Sequence, residues 1–164
     1  MSEVVLVDLS TDNTVEVAKR LRPDVRIVEQ TERGKGSALR QGFAAATGDI
    51  IVSIDADGST APEEIESFVG ALLDGADYVK GSRFMRGGGS ADITPLRSAG
   101  NHALTILVRV VHGARFTDLC YGYNAFWSDV LPTLGLRSMG FESETEMNLR
   151  AHHAGLRVVE VPSY

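Results

Sequence analysis

Asp55 and Asp57, one residue apart, close the run Ile50-Ile51-Val52-Ser53-Ile54, and Gly58 follows them. A run this rich in β-branched residues suits a strand buried on both faces, as in a parallel sheet. Open parallel sheets bind ligands beyond the carboxyl ends of their strands, where these two acids fall. Paired carboxylates there can hold one hard divalent cation, Mg2+ or Mn2+, and leave coordination positions for phosphate oxygens. The plainer alternative is an Asp57-Gly58 turn with a solvated acid beside it.

Other groups could join such a site. In Arg33-Gly34-Lys35-Gly36-Ser37, glycines flank a lysine where a helix should start, so backbone N–H groups and an ammonium could meet phosphate. The spacing is not that of a P-loop, and a solvated Lys35 is the easier reading. Glu142 and Glu144 open a later helix, where acids often serve only the macrodipole. Residues 85 to 95 form a long glycine-rich loop, and a loop of that length beside a site is more often functional than idle.

Three kinds of site share the Asp-x-Asp-Gly pattern. A calcium loop needs glycine in the sixth position and a distal glutamate, whereas here glycine comes fourth. Phosphatases of the haloacid dehalogenase type carry a similar turn, which Asp55-Ala56-Asp57-Gly58-Ser59-Thr60 approaches. The third is the carboxylate pair that nucleotide-sugar glycosyltransferases place on the donor diphosphate.

Composition sets outer limits. The chain has 164 residues, 43% hydrophobic and 23% charged, with a formal net charge of −6. That is one ordinary domain's worth of chain, and it lacks the basic excess of a general nucleic-acid binder. Cys120 is the single cysteine, which excludes an internal disulfide and favours a reducing cytoplasm. No apolar run is long enough to cross a bilayer, and no signal peptide is expected. His152 and His153 are adjacent and would diverge on a helix, so the histidines offer no metal spacing.

The elements that would carry these groups alternate. Val4–Val7 reads as a strand, and Asn13 with Glu16 has the form of a capping box opening a helix that Pro23 ends. A strand over Val25–Val28, then Arg33–Ser37 followed by a helix to about Ala46 that Gly48 ends, lead to the strand before Asp55. Thr60-Ala61-Pro62-Glu63 is a second capping-box pattern. Its helix runs to about Leu73, followed by a strand at Tyr78–Lys80. Leu96 to His112 reads as a helix with Leu104, Leu107, Val108 and Val111 on one side, facing either the core or a membrane surface. A strand over Asn124–Trp127, a helix ending near Gly155 and a strand over Arg157–Val161 complete the chain. Strands alternating with helices predict an α/β fold with a mainly parallel, doubly wound sheet.

Five motifs occur in order: VDLSTDNTVEVA, RGKGSALRQGFAAATGDIIVSIDADGS, DYVKGSRF, TDLCYGYNAFW and GFESETEMNLRAHHAGLRVVEVPSY. Together they cover nearly the whole chain, which resembles the family-two glycosyltransferases of GT-A fold, especially the dolichyl-phosphate mannose synthase branch. The phosphatase alternative lacks the later acidic motif it would require. The resemblance implies inverting transfer of a sugar from a UDP- or GDP-sugar donor to a lipid-phosphate-type acceptor. It implies Asp55 and Asp57 as ligands of Mg2+ or Mn2+, with Asp57 and Glu144 as catalytic residues. Asp8, Lys35, Asp55 and Arg83 would face the nucleotide-sugar, and Arg83, Arg97 and Asp118 the acceptor. It also implies a cytoplasmic protein in peripheral contact with the inner face of a membrane. A related nucleotidyltransferase and a non-catalytic fragment that only binds donor or partner are the rival readings.

Two departures stand out. Val7 and Leu9 occupy first-turn positions where the family usually has an acid and a glycine. Family members also begin with one more strand and helix, that strand lying between the strands ending at Asp8 and Asp55. Either these two strands pair directly here, or the chain is a fragment of a longer enzyme, incomplete at both ends.

Overall fold

The computed structural model describes residues 3–91 and 93–164. In chain order the elements are β1 (Val5–Asp8), α1 (Thr14–Leu21), β2 (Arg26–Glu29), α2 (Lys35–Ala45), β3 (Ile50–Ser53), α3 (Ile65–Leu73), β4 (Tyr78–Ser82), α4 (Pro95–His112), β5 (Asn124–Trp127), α5 (Leu131–Leu134), α6 (Glu142–His153) and β6 (Val158–Pro162).

The strands form a parallel pair, β1–β2, and a four-stranded sheet in the order β3-β5-β4-β6. Only β5 runs against its neighbours, pairing antiparallel with β3 and β4, while β4 and β6 are parallel. The larger sheet is therefore mixed, with three strands sharing one direction. Among the described residues β1 pairs with β2 alone and β3 with β5 alone, so direct pairing of β1 with β3, one of the two expected arrangements, is not observed.

The four-stranded sheet explains the core, because side chains alternate faces along a strand. Ile51, Tyr78 and Phe126 point to one side and pack with Phe43 of α2, Leu134 of α5 and Met147 and Ala151 of α6. Val79, Tyr123 and Ala125 point to the other and pack with Phe68 and Leu72 of α3. Phe68 is fully buried and stacks on Tyr123 at 4.0 Å, and truncating such a ring costs about 3–5 kcal/mol. A third cluster joins Val108 of α4 to Ala114, Phe116 and Leu119.

The strand before Asp55 is less enclosed than its composition suggested, with Ile51 its one fully buried residue. Both expected capping boxes are replaced. Asn13 makes no side-chain cap, and Asp12 instead accepts from the Thr14 N–H at 2.9 Å. Pro62–Glu64 is a short 3-10 turn ahead of α3, and Thr60 Oγ1 donates to the Asp55 carbonyl at 3.2 Å. On α4 the inward side is Leu104 and Val108, whereas Leu107 and Val111 are exposed.

Candidate active site

Lys35 opens α2, and its placement depends on the glycines either side. A Cβ on Gly34 would lie 2.1 Å from the Met139 carbonyl oxygen, and one on Gly36 would lie 2.0 Å from that of Ser138. Gly34 also holds φ at +117°. The Gly36 N–H donates to Met139 O at 2.9 Å. These glycines therefore let the 138–139 backbone approach closely, rather than presenting N–H groups to a phosphate. Glu146 of α6 fixes that backbone, accepting from the N–H groups of Arg137 and Ser138 and from Arg150 Nε at 2.8 Å. Burial disfavours the Glu146 charge, but these donors outweigh it and bring its pKa down to about 2.

So held, the Lys35 ammonium reaches across the sheet's edge. It donates to Asp55 Oδ2 at 2.7 Å and to Glu144 Oε1. Glu144, in the first turn of α6, is buried, with a side chain only 5% exposed. Burial works against the ammonium, yet the Glu144 charge and the bonds to Asp55 and Glu144 prevail and raise the Lys35 pKa. Asp57 sits in the exposed turn before Gly58, whose φ is +79°. Its Oδ1 accepts from the Ser59 N–H at 2.9 Å, and bonding to Ser59 lowers its pKa.

Gly122 closes over this group. A Cβ there would stand 2.6 Å from Asp55 Oδ2, 2.7 Å from Lys35 Nζ and 2.8 Å from Glu144 Oε1. The loop carrying Gly122 is anchored on several sides. Asn101 Oδ1 of α4 accepts from the N–H groups of Leu119 and Cys120. Glu160 of β6 accepts from those of Thr117 and Asp118. Lys80 of β4, fully buried, donates to Tyr121 O at 2.7 Å. Burial outweighs the neighbouring carboxylates Asp118, Glu144 and Glu160 and lowers the Lys80 pKa.

Arg83 follows β4 and forks onto Asp118, Nε to Oδ2 at 2.7 Å and Nη2 to Oδ1 at 3.0 Å. Its guanidinium also lies 4.7 Å from the centre of the Tyr121 ring. Asp118 has no exposed surface, and its oxygens also accept from the backbone N–H groups of Arg83 and Cys120. It orients Arg83 and has no free face for a ligand.

Lys35, Asp55 and Glu144 thus converge, with Asp57 two residues beyond Asp55. Arg83 and Asp118 form a separate pair joined to them by the 118–122 loop. Asp8 ends β1 and accepts from the Ser10 N–H and hydroxyl at 3.1 and 2.9 Å. Arg97 is exposed in the first turn of α4, its N–H on the Thr94 cap. Gly122, Lys80, Asn101, Glu146 and Glu160 were not singled out from sequence. All but Asn101 lie within the five motifs, Gly122 as the glycine of TDLCYGYNAFW, but nothing there gave them a role.

The carboxylates suit a divalent cation. Among the described residues no group of three or more His, Cys, Asp or Glu is arranged to hold a metal. Asp55 Oδ1 and Asp57 Oδ2 nevertheless accept no protein hydrogen bond among those residues. Two hard oxygens completed by water and ligand phosphate match the way Mg2+ and Mn2+ are commonly bound. The three carboxylates also exceed the one ammonium in charge.

Residues 2–131 match Glycosyl transferase family 2. The chain is 33% identical over 172 residues to an undecaprenyl-phosphate mannosyltransferase of Micrococcus luteus, covering 98% of this chain and 70% of that one. It is 31% identical over 157 residues to glycosyltransferase AglJ of Haloferax volcanii, covering 94% of this chain but 50% of the relative. The chain thus spans 50% and 70% of the length of these two curated relatives. The backbone superposes with a TM-score of 0.74 on glucosyl-3-phosphoglycerate synthase from Mycobacterium tuberculosis in complex with Mn2+ and UDP-glucose. That match is 27% identical and covers 96% of this chain and 56% of the other. The chain belongs to glycosyl transferase family 2 and has the GT-A fold.

Proposed function

We propose that this domain transfers a sugar, with inversion, from a UDP- or GDP-sugar to a lipid-phosphate acceptor, using Mg2+ or Mn2+ on Asp55 and Asp57. The observation that carries the reading is the convergence of Lys35, Asp55 and Glu144 at the end of β3, with Asp57 open beside them. The likeness to the Mycobacterium tuberculosis synthase in complex with Mn2+ and UDP-glucose supports the donor, and the likeness to the undecaprenyl-phosphate mannosyltransferase of Micrococcus luteus supports the acceptor. Family membership favours this reading over the phosphatase and nucleotidyltransferase alternatives.

Transfer forms a bond between an acceptor oxygen and the anomeric carbon as the bond to the donor diphosphate breaks. A bound cation would offset the charge gathering on the leaving diphosphate. Lys35 supplies a further fixed positive charge next to Asp55. Arg83, held in plane by Asp118, presents a guanidinium that suits phosphate oxygens, and Arg97 would add a second. A phosphate monoester acceptor is already largely ionised near neutral pH, its second pKa being about 6, so Glu144 need not remove a proton. Its buried carboxylate then serves to hold Lys35, while Asp8 would face the nucleotide. Contact with the inner face of a membrane fits a lipid acceptor.

Thermal shift with a panel of UDP- and GDP-sugars tests the reading. Mn2+ should enhance stabilisation by one donor class, and Asp57→Ala should abolish the metal-dependent part without altering the unliganded melting temperature. Equal stabilisation in Mn2+ and in chelator would rule out the metal assignment. Equal turnover of polyprenyl phosphate and polyprenol would rule out the phosphate acceptor.

A further inference from the structure

Helices α4 and α6 end side by side on a pair of histidines. Val108 of α4 and Leu149 of α6 pack in the same hydrophobic cluster. His112 and His153 lie four residues beyond them, on the same helix faces, and each is the last residue of its helix. The two side chains meet at the surface, His112 Nδ1 standing 3.2 Å from His153 Nε2 with ring centres 5.1 Å apart. His152 Nε2 donates to the His112 carbonyl oxygen at 3.1 Å and so fixes the end of α4. None of these histidines touches the group formed by Lys35, Asp55 and Glu144.

We infer that His112 and His153 bind one Zn2+ or a similar late transition-metal ion, such as Ni2+ or Cu2+, with water filling the remaining positions. Imidazole nitrogen suits these ions, whereas the oxygens of Asp55 and Asp57 suit Mg2+ and Mn2+. Two nitrogens about 2.0–2.1 Å from a zinc ion, at the tetrahedral angle, stand about 3.3 Å apart. The observed 3.2 Å matches that bite, so the helices need not move to close it. Without metal the same separation accommodates an N–H···N bond, and moving the shared proton to the outer nitrogen of one ring frees both lone pairs. The setting favours a cation, because two helix C-termini with their orphan carbonyls converge there. Of the arginines in those last turns, Arg150 is paired with Glu146, and Arg109 is exposed three residues before His112.

Spacing along the chain does not show this pair, because His153 finds its partner 41 residues away rather than in the adjacent His152. Two protein ligands make a weaker site than the four of structural zinc or the three of catalytic zinc. The ion is therefore exchangeable and acts as a clasp. It would join the helix that carries Glu144 to the helix whose Asn101 bonds the 119–120 backbone. The clasp is independent of the transfer chemistry.

Isothermal titration of the tag-free chain with Zn2+ tests the site, with Asp57→Ala run alongside to separate it from the carboxylate pair. Both should bind a Zn2+ ion that excess Mg2+ does not displace. His112→Gln and His153→Gln, both at exposed positions, should each weaken that binding at least roughly tenfold with circular dichroism unchanged. His102→Gln, elsewhere on α4, should leave it unaltered. With Zn2+ at about a hundred times Kd the melting temperature should rise by about 5–10 °C, and each of the two variants should lose half of that rise or more. Electron paramagnetic resonance of bound Cu2+ should show splitting from two nitrogens in the wild type and from one in either variant. Zn2+ binding that both variants keep at wild-type strength overturns the inference, as does an absence of Zn2+ binding in Mg2+ or of nitrogen splitting. Binding lost in Asp57→Ala but kept in the histidine variants places the ion on the carboxylates and overturns it too.

Discussion

A single methyl group at position 122 tests the architecture of the site. Gly122 does not adopt positive φ, so alanine meets no backbone strain and would on its own stabilise by about 0.4–1 kcal/mol through the unfolded chain. Opposing this, its Cβ would stand under 3 Å from Asp55 Oδ2, Lys35 Nζ and Glu144 Oε1, at 2.6, 2.7 and 2.8 Å. Overpacking of this kind costs about 1–3 kcal/mol. The cost falls mainly on the Lys35–Glu144 pair, whose side chains are 17% and 5% exposed. Asp55, 33% exposed, is better screened and contributes less. The balance predicts that Gly122→Ala is about 1–2 kcal/mol less stable. Urea unfolding near neutral pH measures this, alongside Glu144→Ala and the double variant. Removing the Glu144 side chain leaves room for the new methyl, so the two changes should fall short of additivity by about 1 kcal/mol. Gly122→Ala at or above wild-type stability, with strict additivity, would show that the cluster does not close on this glycine.

Glu146 gives the pH dependence. Its folded pKa of about 2 lies below the ordinary 4.5, so its contribution is present above about pH 4.5 and lost as pH falls toward 2. The loss should be about 1–2 kcal/mol after allowing for solvent, and Glu146→Gln should flatten that limb of the acid-unfolding curve. An unchanged acid limb would remove Glu146 as the brace of the 137–139 backbone. Lys80→Met deletes a buried charge together with the donor to Tyr121 O, two effects that partly cancel, so stability should move by no more than about 1–2 kcal/mol. Amide exchange at Leu119 and Cys120 should nonetheless accelerate, and unaltered exchange would show that Lys80 does not anchor the loop.

The order of elements was legible because hydrophobic period and glycine punctuation are local. The strand over Asn124–Trp127 has the expected bounds, and β3 lies within the run that ends before Asp55. Which edge pairs with which is not local. Nothing within Asn124-Ala125-Phe126-Trp127 tells whether it runs with or against Ile50–Ser53, and β5 proves antiparallel to both its neighbours. Caps failed for a related reason. Asp12 takes the N–H that the expected cap Asn13 would serve, and Thr60, the other expected cap, turns its hydroxyl to the Asp55 carbonyl, alternatives that the spacing alone cannot rank.

The acids and the lysine of the candidate site were readable by type, but what gathers them was not. The glycines around Lys35 looked like a phosphate cradle because that reading needs only neighbouring residues. Their observed use, admitting the 138–139 backbone, depends on a segment about a hundred residues away. Gly122 is the same case, a small residue required by three side chains from α2, the end of β3 and α6. The loop that carries it is bonded by Asn101, on the helix whose other face is apolar and open, two residues before Gly122 at Cys120. That bond ties the position of α4 to the backbone that closes over Lys35, Asp55 and Glu144.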